Sequence, residues 1–256
     1  MIDSKKLVLV LVCLALAGCA SSKKKAESIP AQSQSVAKAE KPVSPEMSDL
    51  KKSIVSLAKQ EWDYFGRQTV VLDGEEESIP RVGKWEDDAD AYAYRVNEYW
   101  RAVGKPQLTG NNCSQPWSAA FVSWIMRAAG VPWYEFRSSE AHWGYLSRIM
   151  ANSDDPYASF VPRNVTEYSP RPGDLICATR GHSAPPPLPG ENPRSVLYEH
   201  TKLHCDIVVE RAGDSLGAIG GNVRNSVSKT LLKLNKNGMV QPSQRRPWFM
   251  VLENRL

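Results

Sequence analysis

The 256-residue chain has no charge surplus large enough to point to a polyanionic partner. Its 32 Lys and Arg stand against 28 Asp and Glu, for a formal net charge of +4. A pI near 8.7 leaves no broad basic footprint, so DNA and RNA are not expected partners. Histidine is scarce, at four, and each can be weighed singly. No internal repeat is visible, and no Gly/Ser linker divides the chain after residue 48. The apolar run near the N-terminus is about a dozen residues long, short of the roughly 20 needed to cross a bilayer. With 42% hydrophobic, 23% charged and 9% aromatic residues, the chain is neither collagen-like, wholly disordered nor a many-span membrane protein. Five cysteines are an odd count, which an exported protein must account for.

The first residues, Met1-Ile2-Asp3-Ser4-Lys5-Lys6, precede an apolar run from Leu7 to Ala17. This order of basic and then apolar residues is that of a secretory signal peptide, residues 1–18. The run ends Leu16-Ala17-Gly18-Cys19, which resembles the lipobox of bacterial lipoproteins. The resemblance implies cleavage before Cys19, a lipid thioether on its sulfur and acylation of its new amino group. Several acyl chains anchor far more firmly than one. Ala20 follows rather than Asp, which by the same resemblance points to the outer membrane, with the remainder of the chain facing the periplasm. Residues 19–47 are rich in Ser, Lys, Ala, Gln and Pro and lack the apolar surface to offset backbone ordering, so a flexible tether is expected. Lys23-Lys24-Lys25 are either in touch with anionic headgroups or a solvated charge run.

Residues 48–256 are expected to form a single globular domain. Ser48 can cap a helix whose apolar residues Leu50, Ile54, Leu57, Ala58, Trp62 and Phe65 recur at helical spacing. Further helices are predicted from Ala89 to Val103, from Pro116 to Ala129 and from Ser139 to Met150. Short strands follow at 174–179, 205–210, 216–220, 230–234 and 248–252, each β-rich and bounded by Gly, Pro or Asn. Helices first and a small antiparallel sheet second is an α+β arrangement. The Pro-rich segment 181–203 is long enough to be a lid, a binding loop or an insert.

Four stretches carry a resemblance over roughly residues 90 to 225. They are Pro116-Trp117-Ser118-Ala119-Ala120-Phe121-Val122-Ser123-Trp124, Arg171-Pro172-Gly173-Asp174-Leu175-Ile176, His204-Cys205-Asp206-Ile207-Val208-Val209, and Ile219-Gly220-Gly221-Asn222. In order and spacing they resemble the papain-like cell-wall hydrolases of the CHAP and NlpC/P60 superfamily. In its narrower form the pattern is similar to the DUF2272 branch, which has serine at the helix position usually held by cysteine. The resemblance implies a papain-like fold with N-terminal helices packed on the sheet, and action on peptidoglycan by amide hydrolysis without a cofactor. Ser118 is then the nucleophile, with the helix N-terminus and its unpaired N–H groups supporting an oxyanion. His204 is the base and Asn222 the group that orients the ring.

This sequence departs from the pattern in two places. Ser118 replaces a thiol, and an alcohol needs a well-oriented base where a thiol does not. Gly220 stands where an acidic residue often precedes Gly-Asn, and Asn222 cannot stabilise an imidazolium as a carboxylate does. Cys113, in Asn112-Cys113-Ser114, resembles the start of an NlpC/P60 helix and is the alternative nucleophile. Cys13 leaves with the signal and Cys19 carries lipid, so Cys113, Cys177 and Cys205 remain. Cys177 and Cys205 fall on strands expected to be neighbours, where a cross-strand disulfide is open to them. Cys113 would then be free, as a small buried residue or a reactive thiol. His200 and His204 are four apart, a helical metal spacing, but in loop-like sequence without an acidic cluster, so no metal is expected. His142 can line the cleft or be a satisfied core histidine, and His182 is expected at the surface. Besides the hydrolase, two readings stay open: the same cleft binding peptide or peptidoglycan without cleaving it, and a structural envelope lipoprotein.

Overall fold

The computed structural model describes residues 47–180, 191–197 and 201–256. The signal segment, Cys19, the tether to residue 46, His182, His200 and much of the 181–203 loop lie outside the described residues. Among the described residues, four α-helices and an eight-stranded sheet make a mixed α+β architecture.

Helix α1 runs Asp49–Tyr64 and buries Ile54, Val55 and Ala58. The Ser48 side chain accepts the N–H of Lys51 at 3.4 Å, satisfying one of the donors that every helix start leaves open. Its hydroxyl also donates to the Leu256 carbonyl at 2.7 Å. Helix α2 (Asp90–Ala102) follows, its buried face set by Ala93, Val96, Tyr99 and Trp100. Glu61 of α1, 2% exposed, accepts from Arg95 Nε at 2.8 Å and from the Tyr99 hydroxyl. A buried carboxylate is costly unless paired in this way, so the pair fixes α1 against α2. Helix α3 (Ser118–Ala128) is buried on nearly every side, and α4 (His142–Ala151) buries Tyr145, Leu146, Ile149 and Met150.

The strands are β1 (Gln68–Asp73), β2 (Glu76–Arg81), β3 (Phe160–Asn164), β4 (Leu175–Thr179), β5 (Leu203–Ala212), β6 (Ser215–Val223), β7 (Ser226–Lys233) and β8 (Trp248–Asn254). They lie in the order β2-β1-β7-β6-β5-β4-β8-β3. Three strands go beyond the expected small sheet. The β1–β2 hairpin interrupts the half expected to be helical, turning at Gly74-Glu75 between the paired Asp73 and Glu76, with Gly74 at φ 61°, a hairpin conformation that glycine adopts without strain. Strand β3 pairs with β8 at the far edge. The sheet is also not wholly antiparallel, because β1 runs parallel to β7. Burial of Val70 and Leu72 on alternate residues of β1 holds that edge to the sheet.

The sheet is buried on both faces. Along β5, Cys205, Ile207 and Val209 join the core beneath the helices. Val208 points to a second core with Ile176, Leu216, Trp248 and Val251, joined by Val165 and Val240 from the loops. Cys177 and Cys205 face each other in the β4–β5 ladder and form a disulfide with Cα atoms 4.1 Å apart.

Candidate active site

Ser118 is the first residue of α3, two positions after Pro116. Trp117 at the cap position makes no side-chain cap bond, so among the described residues its side chain leaves the N–H groups of this first turn uncapped. The Ser118 hydroxyl lies 2.8 Å from His142 Nε2, and His142 Nδ1 lies 2.5 Å from the Tyr145 hydroxyl. His142 and Tyr145 are three apart on α4, which places them on one helix face. Ser118 is 2% and His142 4% exposed. Burial, reinforced by the charges of His204 and Arg180, holds His142 well below the usual histidine range. Burial and the nearby Asp206 push Tyr145 well above the usual phenol range. At neutral pH the imidazole is therefore neutral and the phenol protonated. The tautomer with Nδ1–H donating to Tyr145 leaves Nε2 to accept the Ser118 proton.

The sequence pattern pairs Ser118 with His204, but the hydrogen bond of Ser118 goes to His142. His204 Nε2 instead meets Asp206 Oδ1 at 2.6 Å. Both residues project from the same side of β5, because strand side chains alternate. The two imidazoles still meet edge to face, 5.7 Å between centroids, near the end of the β4–β5 ladder. Asn222 is displaced from its expected role as well. Its amide donates to Glu86 Oε2 at 2.9 Å, and the group on the His204 ring is the Asp206 carboxylate. Asp206 thus supplies in space the acid that the sequence lacks before Gly221-Asn222. The signal for it was present, since His204-x-Asp206 on a strand puts both on one side.

Glu86 is a second buried acid at the centre, and no motif in the sequence marks it. It also accepts from Trp117 Nε1, and burial pushes its carboxyl up. The short polar stretch around it carries no periodic signal. Cys113 is exposed and free, with its sulfur 3.7 Å from Asp87 Oδ2. Partial desolvation and the carboxylates of Asp87 and Glu86 push its thiol up, which keeps it from ionising and weakens it as a nucleophile.

Two clefts flank this centre. One, of about 650 Å³, is bordered by Ser118, His142, Trp143, Arg180 and Leu203. The other, of about 430 Å³, is bordered by His204, Asn222, Arg180, Arg224 and Arg246. Arg180 borders both, and burial and the charge of Arg246 push its guanidinium down. Among the described residues no three His, Cys, Asp or Glu side chains converge as a metal-ligand set. The chemistry these groups can perform is proton transfer from a serine to a neutral imidazole beneath open helix N–H groups.

No curated protein and no solved structure matches the chain. Residues 77–254 match the bacterial family described as "Uncharacterized protein conserved in bacteria (DUF2272)". The match extends from β2 to the end of β8 and takes in every residue of the centre just described. Spanning most of its length, it makes this chain a member of the DUF2272 family.

Proposed function

We propose that this protein is a lipid-anchored envelope hydrolase that cleaves amide bonds in peptidoglycan, with Ser118 as nucleophile and His142 as its base. The observation that carries the reading is the 2.8 Å contact of Ser118 Oγ with a neutral, buried imidazole at the mouth of a cleft. In the reaction the serine proton passes to His142 Nε2 as Oγ bonds the scissile carbonyl carbon. The first-turn N–H groups of α3 receive the oxyanion, and the imidazolium returns the proton to the leaving amine as the C–N bond breaks. A water deprotonated by the same imidazole then cleaves the acyl-serine ester and restores Ser118. Tyr145 holds the ring through Nδ1, and a phenol steadies an imidazolium less than a carboxylate does. His204 with Asp206 forms a second hydrogen-bonded pair beside it.

The papain-like NlpC/P60 fold belongs to the same proposal. It is supported by the packing of α3, with its nucleophile at the start, on β5 and β6. Location at the outer membrane, facing the periplasm, rests on Leu16-Ala17-Gly18-Cys19 and suits a buried Cys177–Cys205 disulfide, which persists in oxidising compartments. No helix among the described residues is long and apolar enough to cross a membrane.

The test is incubation of the full-length protein with purified sacculi and mass spectrometry of the released fragments. Release should be abolished in Ser118→Ala, fall by about 10²- to 10⁴-fold in His142→Ala and persist in Cys113→Ala. A second reading, binding without cleavage, is favoured by the near-complete burial of Ser118 and His142. Sedimentation of the protein with sacculi without any fragment release would replace the hydrolase by that reading.

A further inference from the structure

A second cavity meets α4 at Tyr145, Arg148, Ile149 and Ala151, whereas the Ser118 cleft meets it at His142 and Trp143. It measures about 790 Å³, and Trp133, Tyr134 and Tyr157 border it. These rings are 73%, 69% and 91% exposed, more than Tyr64, Trp85 and Tyr94, the other exposed aromatics among the described residues, whereas Trp117, Trp248, Tyr99 and Tyr145 are buried in the cores. Three aromatic faces left in water along one groove are costly unless something covers them.

The charges at the groove narrow the occupant. Two arginines, Arg137 and Arg148, stand against three carboxylates, Glu135, Asp154 and Asp155. A single-stranded nucleic acid would use the same stacking faces, but its phosphates need a basic groove, and this one has no cationic surplus, since Arg194 pairs with Asp154 at 3.3 Å and brings the two signs into balance. A polyproline segment also docks on aromatic grooves. It offers carbonyl acceptors and no N–H donors, so it has nothing to give Glu135, whereas Asp154 and Asp155 already accept from Arg194 and the Tyr157 N–H. Sugar hydroxyls both donate and accept, and so satisfy carboxylates and guanidinium groups alike. The C–H face of a pyranose ring, meanwhile, covers an aromatic face.

We infer that this groove binds a glycan strand, its pyranose rings stacked on Trp133, Tyr134 and Tyr157. Tyr145 borders the groove and holds His142, so the glycan site and the Ser118 centre share α4. A polymer with sugar and peptide parts could engage both, and that clause alone rests on the hydrolase reading.

The experiment is calorimetric titration of the full chain, held in a detergent without a sugar headgroup, with soluble β-linked N-acetylglucosamine oligosaccharides. Saturable binding is expected, weakened about tenfold in each of Trp133→Ala and Tyr157→Ala. Both rings are surface groups, and unchanged thermal melts would show that the fold is intact. Ser118→Ala should bind as the wild type does, so loss of cleavage and loss of glycan binding are read separately. No saturable binding by the wild type, equal binding by Trp133→Ala, or preference for a proline-rich peptide or oligonucleotide at this groove would overturn the inference.

Discussion

A side chain at position 220 would collide with the histidine–carboxylate pair beside the Ser118 centre. A Cβ there would lie 1.7 Å from Asp206 Oδ1 and 3.1 Å from His204 Nε2, and no real Cβ tolerates the first distance. Gly220→Ala must therefore push Asp206 off its partner or shift the β5–β6 ladder. Overpacking of this kind costs about 1–3 kcal/mol, and a fall in Tm of roughly 5 °C is expected by calorimetry. A variant that melts with the wild type would show that the pair has room. His142 gives a second prediction at this scale. Its folded pKa is depressed below the unfolded value near 6.5, so the unfolded chain binds the extra proton first as the pH falls. The stability that depends on its neutral form is fully present above about pH 6.5 and is lost as the pH drops below it. Asp174 acts in the opposite direction. Burial raises it to about 6, so its protonation favours the fold as acidity increases. The test is thus a difference: urea unfolding of wild type and His142→Gln across this range, with the variant expected to lose less stability on acidification. Parallel pH profiles would refute the assignment.

At the scale of elements, the disulfide between β4 and β5 closes a 28-residue separation that includes the Pro-rich loop. Loop-closure entropy for that length amounts to about 3–4 kcal/mol. Cys177→Ala/Cys205→Ala should melt roughly 10 °C lower, while a change of only a degree or two would mean that the ladder holds without it. Helical spacing made α1 to α4 legible in the sequence, and β-rich runs between turn residues did the same for β4 to β8. The β1–β2 hairpin was not read because β2 is Glu-Glu-Ser-Ile-Pro-Arg, mostly exposed, with no apolar alternation. Strand β3 is five residues with a proline inside. At the site, Ser118 was legible from the helix start it opens, whereas its histidine was not. His142 meets it because Tyr145, Leu146 and Ile149 seat α4 in the core, a tertiary outcome that no spacing within α4 encodes.

For the whole molecule, the five cysteines join export, lipidation and folding in one measurable count. If the signal is removed and Cys19 is lipidated as Leu16-Ala17-Gly18-Cys19 implies, Cys13 is gone and the Cys19 sulfur is blocked. The thiols left are Cys113, free and exposed, and Cys177 and Cys205, bonded to each other. The mature protein taken from cells and denatured without reductant should therefore take up one maleimide, and three after reduction, read by intact mass. Four after reduction would mean an unlipidated Cys19, and three without reductant would mean that the chain never reached an oxidising compartment. Partition into membranes alone cannot decide the lipid question, because an uncleaved apolar run from Leu7 to Ala17 also associates with lipid. Incorporation of labelled palmitate can: it should be lost in Cys19→Ala, and label retained at the wild-type level would place the acyl chains elsewhere. The same variant should keep the thermal melt of the folded part, since the helix cap that joins Ser48 to Leu256 lies far downstream of the lipid. A fold that failed along with the anchor would show that the membrane supports the domain as well as locating it.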